Sequence, residues 1–276
     1  MERILIGIDA DGSSEAAVAW AAHRAASGSA QIELVTVMDT LLTDTADTEA
    51  LLATTASRIE QEAPGTAVNT EILELSIVGG LAIAARAADL LVIGSHPHHR
   101  LASMISGALP VRISTDVSCP TVVVPVGWKP VDGRIVVGID IDDSSDKALI
   151  FAAREAAARG RELDVVHAWR PTPYSPDPAT ALVFAPEAIL AAHQKILDTA
   201  AARAAVELPA DRIHTHLDRG RPLDAVVAHV EGAELVVLGT HEWGPITGAL
   251  FGSTVQQVME QIPVPLAIVP MGRQEQ

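Results

Sequence analysis

Aromatic residues make up only 3% of this 276-residue chain. A core without them must be filled by Ala, Val, Leu and Ile, in small increments of volume. Cysteine occurs once, at Cys119, so no intrachain disulfide is available. A lone thiol of this kind is expected to be buried in a cytoplasmic protein. Positive charge is also short. Lys and Arg number 19 against 35 Asp and Glu, for a formal charge of −16. That balance opposes polyanions and argues against nucleic acid and anionic membrane as partners. A small anion stays open, because backbone amides at a helix start attract one whatever the net charge. No apolar run is long enough to span a bilayer. Met1-Glu2-Arg3 leads straight into a strand pattern, without the basic and apolar segments of a signal peptide. There is no phosphate-loop lysine motif, no nucleophile elbow and no pair of cysteines. His241 is the nearest candidate for proton transfer, and a lone histidine does not make a catalytic centre. The expectation is a protein that is not an enzyme.

What the chain does have is the same text twice. Ile4-Leu-Ile-Gly-Ile-Asp9 returns as Ile135-Val-Val-Gly-Ile-Asp140, and Glu33-Leu-Val-Thr-Val-Met-Asp39 as Asp164-Val-Val-His-Ala-Trp-Arg170, both displaced by 131 positions. Leu90-Leu-Val-Ile-Gly-Ser-His96 returns as Leu235-Val-Val-Leu-Gly-Thr-His241, and Val122-Val-Val-Pro-Val-Gly127 as Ala267-Ile-Val-Pro-Met-Gly272, both displaced by 145. Four landmarks in one order mark a tandem duplication. Each copy then serves as a control for the other.

The short Val- and Ile-rich runs do not alternate with polar residues, the mark of strands buried on both faces of a parallel sheet. They fall at 3–9, 32–38, 69–75, 90–94 and 121–125, then 134–140, 163–169, 212–217, 235–239 and 265–269. Ala-rich helical stretches lie between them, at 14–27, 47–62, 79–88, 108–116, 145–159, 186–206, 222–232 and 253–261. Alternating strand and helix predict two doubly wound α/β domains with right-handed crossovers. The boundaries are 1–127 and 134–276, with 128–133 as a linker, where Gly127, Pro130 and Gly133 interrupt the strand pattern. The helix before the fourth strand is expected to be about a turn shorter in the first copy. The Pro-rich stretch 171–178 reads as an exposed loop or a lid. The apolar runs Val122–Pro125 and Ala267–Pro270 are expected to pair edge to edge, since either alone leaves a bare sheet edge.

In such folds ligands bind at the carboxyl ends of the strands, where the strand order reverses. The loops after Asp9 and Asp140 meet there with those after Gly94 and Gly239. Gly239 is followed by Thr-His-Glu242-Trp and, further on, by Gly252-Ser253-Thr254 at a helix start. Free amides and two hydroxyls there suit a phosphate. The same residues also suit a plain N-cap. In the first copy Gly94 and Gly107 keep the thirteen-residue spacing of Gly239 and Gly252, but Ala108 replaces the serine and Pro110 removes an amide. Ser13-Ser14 and Ser144-Ser145 read as helix caps. His96, His98 and His99 read as part of a solvated loop, and Arg219 and Arg221 as surface charges.

The duplication, the strand-ending Gly-Ile-Asp and the glycine thirteen residues before Gly-Ser resemble the universal stress protein family in its tandem form, over essentially the whole chain. The resemblance implies five-stranded parallel sheets of order 3-2-1-4-5, flanked by helices. It implies ATP as ligand, through the pattern Gly-x2-Gly-x9-Gly-(Ser/Thr), with Mg²⁺ as the accompanying cation. Gly239, Gly252 and Ser253 match that pattern, with Thr254 beside them. Glu242 stands where the second glycine belongs, and Pro97 stands there in the first copy. Asp140 matches the acidic residue that contacts the nucleoside, and Ala168 the position whose backbone reads adenine. Asp9, Gly94 and Gly107 are the weaker counterparts. Family members pair through the last strand, which makes a homodimer an available assembly. The reading is a cytoplasmic stress-response regulator that binds ATP or a related adenine nucleotide mainly in the second half and acts on an unidentified protein partner. The alternative is a tandem stress protein without nucleotide, working as a binding or scaffold module, which Glu242 and Pro97 favour.

Overall fold

The computed structural model describes residues 1–9, 12, 14–38, 45–95, 117–140, 144–170, 186–239 and 262–270. The chain forms two compact units, Met1–Pro130 with Trp243–Gln276, and Val131–Glu242. Among the described residues, no helix is long and apolar enough to cross a membrane.

In the first unit, β1 (Glu2–Gly7), β2 (Ala30–Val37), β3 (Ala67–Leu73), β4 (Leu90–Gly94) and β5 (Thr121–Val124) lie in the order β3-β2-β1-β4-β5. All these neighbours are parallel. Helices α1 (Glu15–Ala26), α2 (Thr45–Glu62) and α3 (Ile77–Ala84) connect them. In the second unit, β6 (Arg134–Ile139), β7 (Leu163–Trp169), β8 (Ile213–Arg219) and β9 (Ala233–Gly239) repeat the pattern as β8-β7-β6-β9, again parallel. Their helices are α4 (Ser144–Arg159), α5 (Pro186–Ala204) and α6 (Pro222–Ala228). The fold class is the expected one, doubly wound α/β in both repeats. The last strand, β10 (Leu266–Val269), pairs antiparallel with β5, Ala267 facing Val122. The two apolar runs thus cover each other's edge.

Central strands are buried on both faces, as their unbroken apolar runs require. Ile4–Ile6, Leu90–Val92, Ile135–Val137 and Leu235–Val237 are all at most 1% exposed. The outer strands depart from expectation. Along β3, Asn69, Thr70 and Glu71 are exposed, and along β8, His214 and Thr215 are. A strand with a single neighbour is only half covered, so these runs tolerate polar residues. The helices approach the sheet on alanine. Ala17, Ala21 and Ala22 of α1 and Ala148, Ala152 and Ala153 of α4 are at most 1% exposed.

The length expectation for the helix before the fourth strand is reversed. In the first repeat α3 has eight residues and runs on into a 3-10 turn, Ala85–Ala87; in the second, α6 has seven. Ser76 starts α3 early, its hydroxyl accepting from the Gly79 amide at 3.3 Å. The helix accepts Gly80 because even a Cβ there would meet Val37 at 2.7 Å.

Cys119 is buried, as expected. Burial pushes its thiol up from 9.0 to about 11. The native chain therefore holds this proton after the unfolded chain has released it. Stability falls as pH rises from about 9 toward 11, by up to about 2–3 kcal/mol. Melting curves of the protein and of Cys119→Ala should diverge in this alkaline window and run parallel near neutrality. Parallel curves up to pH 11 would show that the thiol does not carry the effect.

Candidate functional site

β1 lies between β2 and β4, and β6 between β7 and β9, so the strand order reverses at β1/β4 and β6/β9. Both central strands end in Gly-Ile-Asp. The glycine keeps the sheet surface low. A Cβ on Gly138 would stand 2.8 Å from Leu238 Cδ2 and 3.0 Å from Val226 Cγ2 on α6. At Gly7 the nearest groups, Ile93 and Leu81, are 3.4 Å away. The aspartate then leaves the sheet. The Asp9 amide donates to Ser14 Oγ at 3.4 Å, and the Asp140 amide to Ser145 Oγ at 2.7 Å. This corrects the capping role expected of Ser14. Ser14 makes no side-chain bond to its own helix, and instead ties the strand end to the helix start. The Ser14 amide in turn donates to Asp9 Oδ1 at 3.3 Å.

In the second repeat, Asp140, Ala168 and Gly239 stand at the carboxyl ends of three adjacent parallel strands. Ile139 pairs with His167, and Gly138 with Leu238, which puts the three candidates in neighbouring rows. In the first repeat Asp9 and Gly94 hold the corresponding ends of β1 and β4. Gly107, Gly252, Ser253, Thr254, Glu242, Pro97 and the histidines at 96, 98 and 99 lie outside the described residues. So do the proline-rich stretch 171–178 and the predicted helices at 108–116 and 253–261.

A cleft of about 290 Å³ opens beside Asp140, between α4 and α5. Polar groups from Asp140, Ser145, Asp146, Lys195, Thr199 and Arg203 line it, over Ile139 and Leu149. Asp146 and Arg203 form an ion pair across it. Ala168 and Gly239 do not contribute to its wall.

A pair of histidines also stands at this edge, unforeseen by the sequence reading. His167, fully buried in β7, bonds the Ile139 carbonyl through Nδ1 at 3.0 Å and His193 Nδ1 through Nε2 at 2.8 Å. A carbonyl only accepts, so Nδ1 of His167 carries the hydrogen. In the neutral ring Nε2 is then the acceptor from His193. Burial, and then the neighbouring His167, lower the His193 imidazole below its usual range, while Asp140 pulls the other way. Trp169 closes the group, its ring centroid 6.0 Å from that of His193. One signal was available. His167 answers Thr36 in the first copy, a polar residue at the same buried place in both strands.

Two doubly wound repeats, each with a strand-end aspartate held by a serine five residues later, define a tandem α/β protein. The chain belongs to the universal stress protein family, which it matches twice, over residues 1–125 and 133–270. It is 27% identical over 295 residues to a universal stress protein of Mycolicibacterium smegmatis, covering 96% of each chain. With the Mycobacterium tuberculosis protein Rv2005c, also a universal stress protein, identity is 25% over 296 residues, again with 96% of each covered. Among solved structures, a universal stress protein from Archaeoglobus fulgidus superposes with a TM-score of 0.71 at 18% identity, covering 98% of both chains. A putative universal stress protein from Pseudomonas aeruginosa gives 0.66 at 18% identity, over 98% of this chain and 93% of that one. These likenesses establish the fold along the whole length.

Proposed function

We propose that the second repeat binds an adenine nucleotide, ATP with Mg²⁺, and that the protein is a nucleotide-responsive regulator acting in the cytoplasm through a protein partner. The observation that carries this reading is the convergence of Asp140, Ala168 and Gly239 on one edge of the sheet. The described residues fit the nucleoside part of such a ligand. Asp140 supplies a carboxylate for ribose hydroxyls, and Ala168 supplies backbone groups for a base edge. Residues 252–254 would take the phosphates on their amides and hydroxyls. The first repeat is the poorer binder, since Ala108 replaces the serine of its phosphate loop and Pro110 removes an amide. Among the described residues, no group set positions an attacking water while stabilising developing charge, and the proposed role is binding without turnover.

Calorimetry with MgATP tests this. One weak equivalent is expected. A phosphate hydrogen bond contributes about 1 kcal/mol, or about 1.5–3 when charge-assisted, so Ser253→Ala should weaken binding by about 5- to 100-fold. Asp140→Asn should weaken it by about tenfold through lost charge-assisted bonds. Glu242→Gly should tighten it, because two like charges about 4 Å apart repel by about 4 kcal/mol at an effective dielectric near 20. Two equal equivalents in the parent, or weaker binding by Glu242→Gly, would overturn the assignment. ATP turnover above about one per minute, surviving repeated purification, would overturn the non-enzymatic role; typical enzymes reach about 1–1000 per second.

A further inference from the structure

The half-covered outer strand of the second repeat carries a second polar group of residues, away from the cleft. Along β8, His214, His216 and Asp218 alternate with Thr215 and Leu217, which puts all three on one face. The register with β7 sets Asp164 beside His214, Val166 beside His216 and Ala168 beside Asp218. Asp164 therefore shares that face. Helix α6 packs against β7, and His229 caps its end, its amide donating to the Val226 carbonyl at 3.0 Å.

We propose that Asp164, His216 and His229 form a binding site for a divalent first-row transition ion, with zinc as the best-suited occupant. Their ligand atoms all lie within 4.8 Å of one another. His216 Nε2 stands 3.5 Å from Asp164 Oδ1. That nitrogen is buried, yet it has no hydrogen-bond partner. The separation is too long for a good hydrogen bond. It is the spacing of two ligands on one edge of a tetrahedron, about 3.3–3.5 Å when each sits about 2.0–2.1 Å from zinc. The two imidazole rings lie with centroids 4.2 Å apart, tilted by 39°.

The surroundings fit a metal as well. Asp218 Oδ2 lies 2.8 Å from His229 Nε2, the carboxylate–histidine arrangement that fixes ring orientation around metal sites. Arg134 Nε holds Asp164 Oδ2 at 2.7 Å, which leaves Oδ1 turned to His216. Two imidazoles and one carboxylate select zinc and its neighbours in the first row over calcium or magnesium, which take oxygen ligands. Three protein ligands leave the fourth position to water. An ion there joins β7, β8 and α6, so binding should raise the stability of this edge.

The test is zinc titration of the full chain, free of any histidine tag and stripped with a chelator. One equivalent is expected with a Kd of about 1 μM, reasonable for a three-ligand site. The melting temperature should rise with zinc. His216→Gln and His229→Gln should each weaken binding at least tenfold and abolish the thermal shift. Asp218→Asn, a positioning change, should weaken it by about tenfold. His214→Gln should leave it unchanged. A chain with His96, His98 and His99 all changed to Gln should also bind as the parent does. Cobalt substitution adds an absorption signature that reports tetrahedral ligation even where a variant is destabilised. Failure of the parent to bind at 100 μM zinc, parent-like binding by His216→Gln, or loss of binding only in the triple variant would each overturn the proposal.

Discussion

Replacing Glu234 with alanine should lower the stability of the second repeat by about 3–5 kcal/mol, the usual cost of breaking a buried ion pair by removing one member. Glu234 lies on β9 and is 5% exposed. Its carboxylate accepts from Arg159 Nη1 at 2.6 Å and from Arg161 Nε at 2.7 Å. Arg159 also pairs with the buried Glu155 at 2.8 Å, and Arg161 with Asp132. Removing Glu234 takes one of the three carboxylates from this network, and both guanidinium groups lose a partner. The contrast is the pair between Arg154 and Glu207, where the arginine side chain is 67% exposed. Glu207→Ala should cost no more than about 1 kcal/mol. Urea unfolding at neutral pH separates the two. Equal midpoints for the two variants would mean that the buried network adds nothing.

Gly133→Ala should cost about 2–3 kcal/mol, for a reason independent of charge. A Cβ there would lie 2.3 Å from the Gly232 carbonyl oxygen and 2.8 Å from the Glu234 amide nitrogen. Both neighbours are backbone, so no rotamer change relieves the clash, and the starts of β6 and β9 would have to part. Gly28→Ala is the control, because nothing lies within 4 Å of its would-be Cβ. It should change stability by less than about 0.5 kcal/mol. The Gly133 amide also donates to Glu234 Oε2 at 3.5 Å, so the double variant with Glu234→Ala should lose less than the sum of the two. A thermal midpoint for Gly133→Ala equal to that of Gly28→Ala would refute the close-approach argument.

The inner strands were legible because burial on both faces leaves an unbroken apolar run, and because the duplication showed each run twice. The outer strands were less so. β3 and β8 were placed within two residues at either end, but their polar faces follow from strand order, which the apolar pattern alone does not contain. Ser14 and Ser145 show another limit. A serine before a helix reads as a cap whether its hydroxyl turns to the helix or back to the strand, and only the fold distinguishes the two. The strand-end aspartates were visible as a repeated Gly-Ile-Asp. The His167–His193 pair was not, because it joins a strand to a helix 26 positions further on. The group at Asp164, His216 and His229 needs the β7–β8 register and the end of α6 together. In sequence it is only an alternating His-Thr-His-Leu-Asp.

The pairing of β5 with β10 has a consequence in time. The first unit is assembled from two stretches of chain, and all of Val131–Glu242 lies between them. A polypeptide leaving the ribosome amino end first presents Thr121–Val124 long before Leu266–Val269 exists. The intervening unit is continuous, and all of it is synthesised before Leu266–Val269. The earlier strand must wait with a bare hydrogen-bonding edge, open to any other nascent chain. The unit begun first is thus finished last.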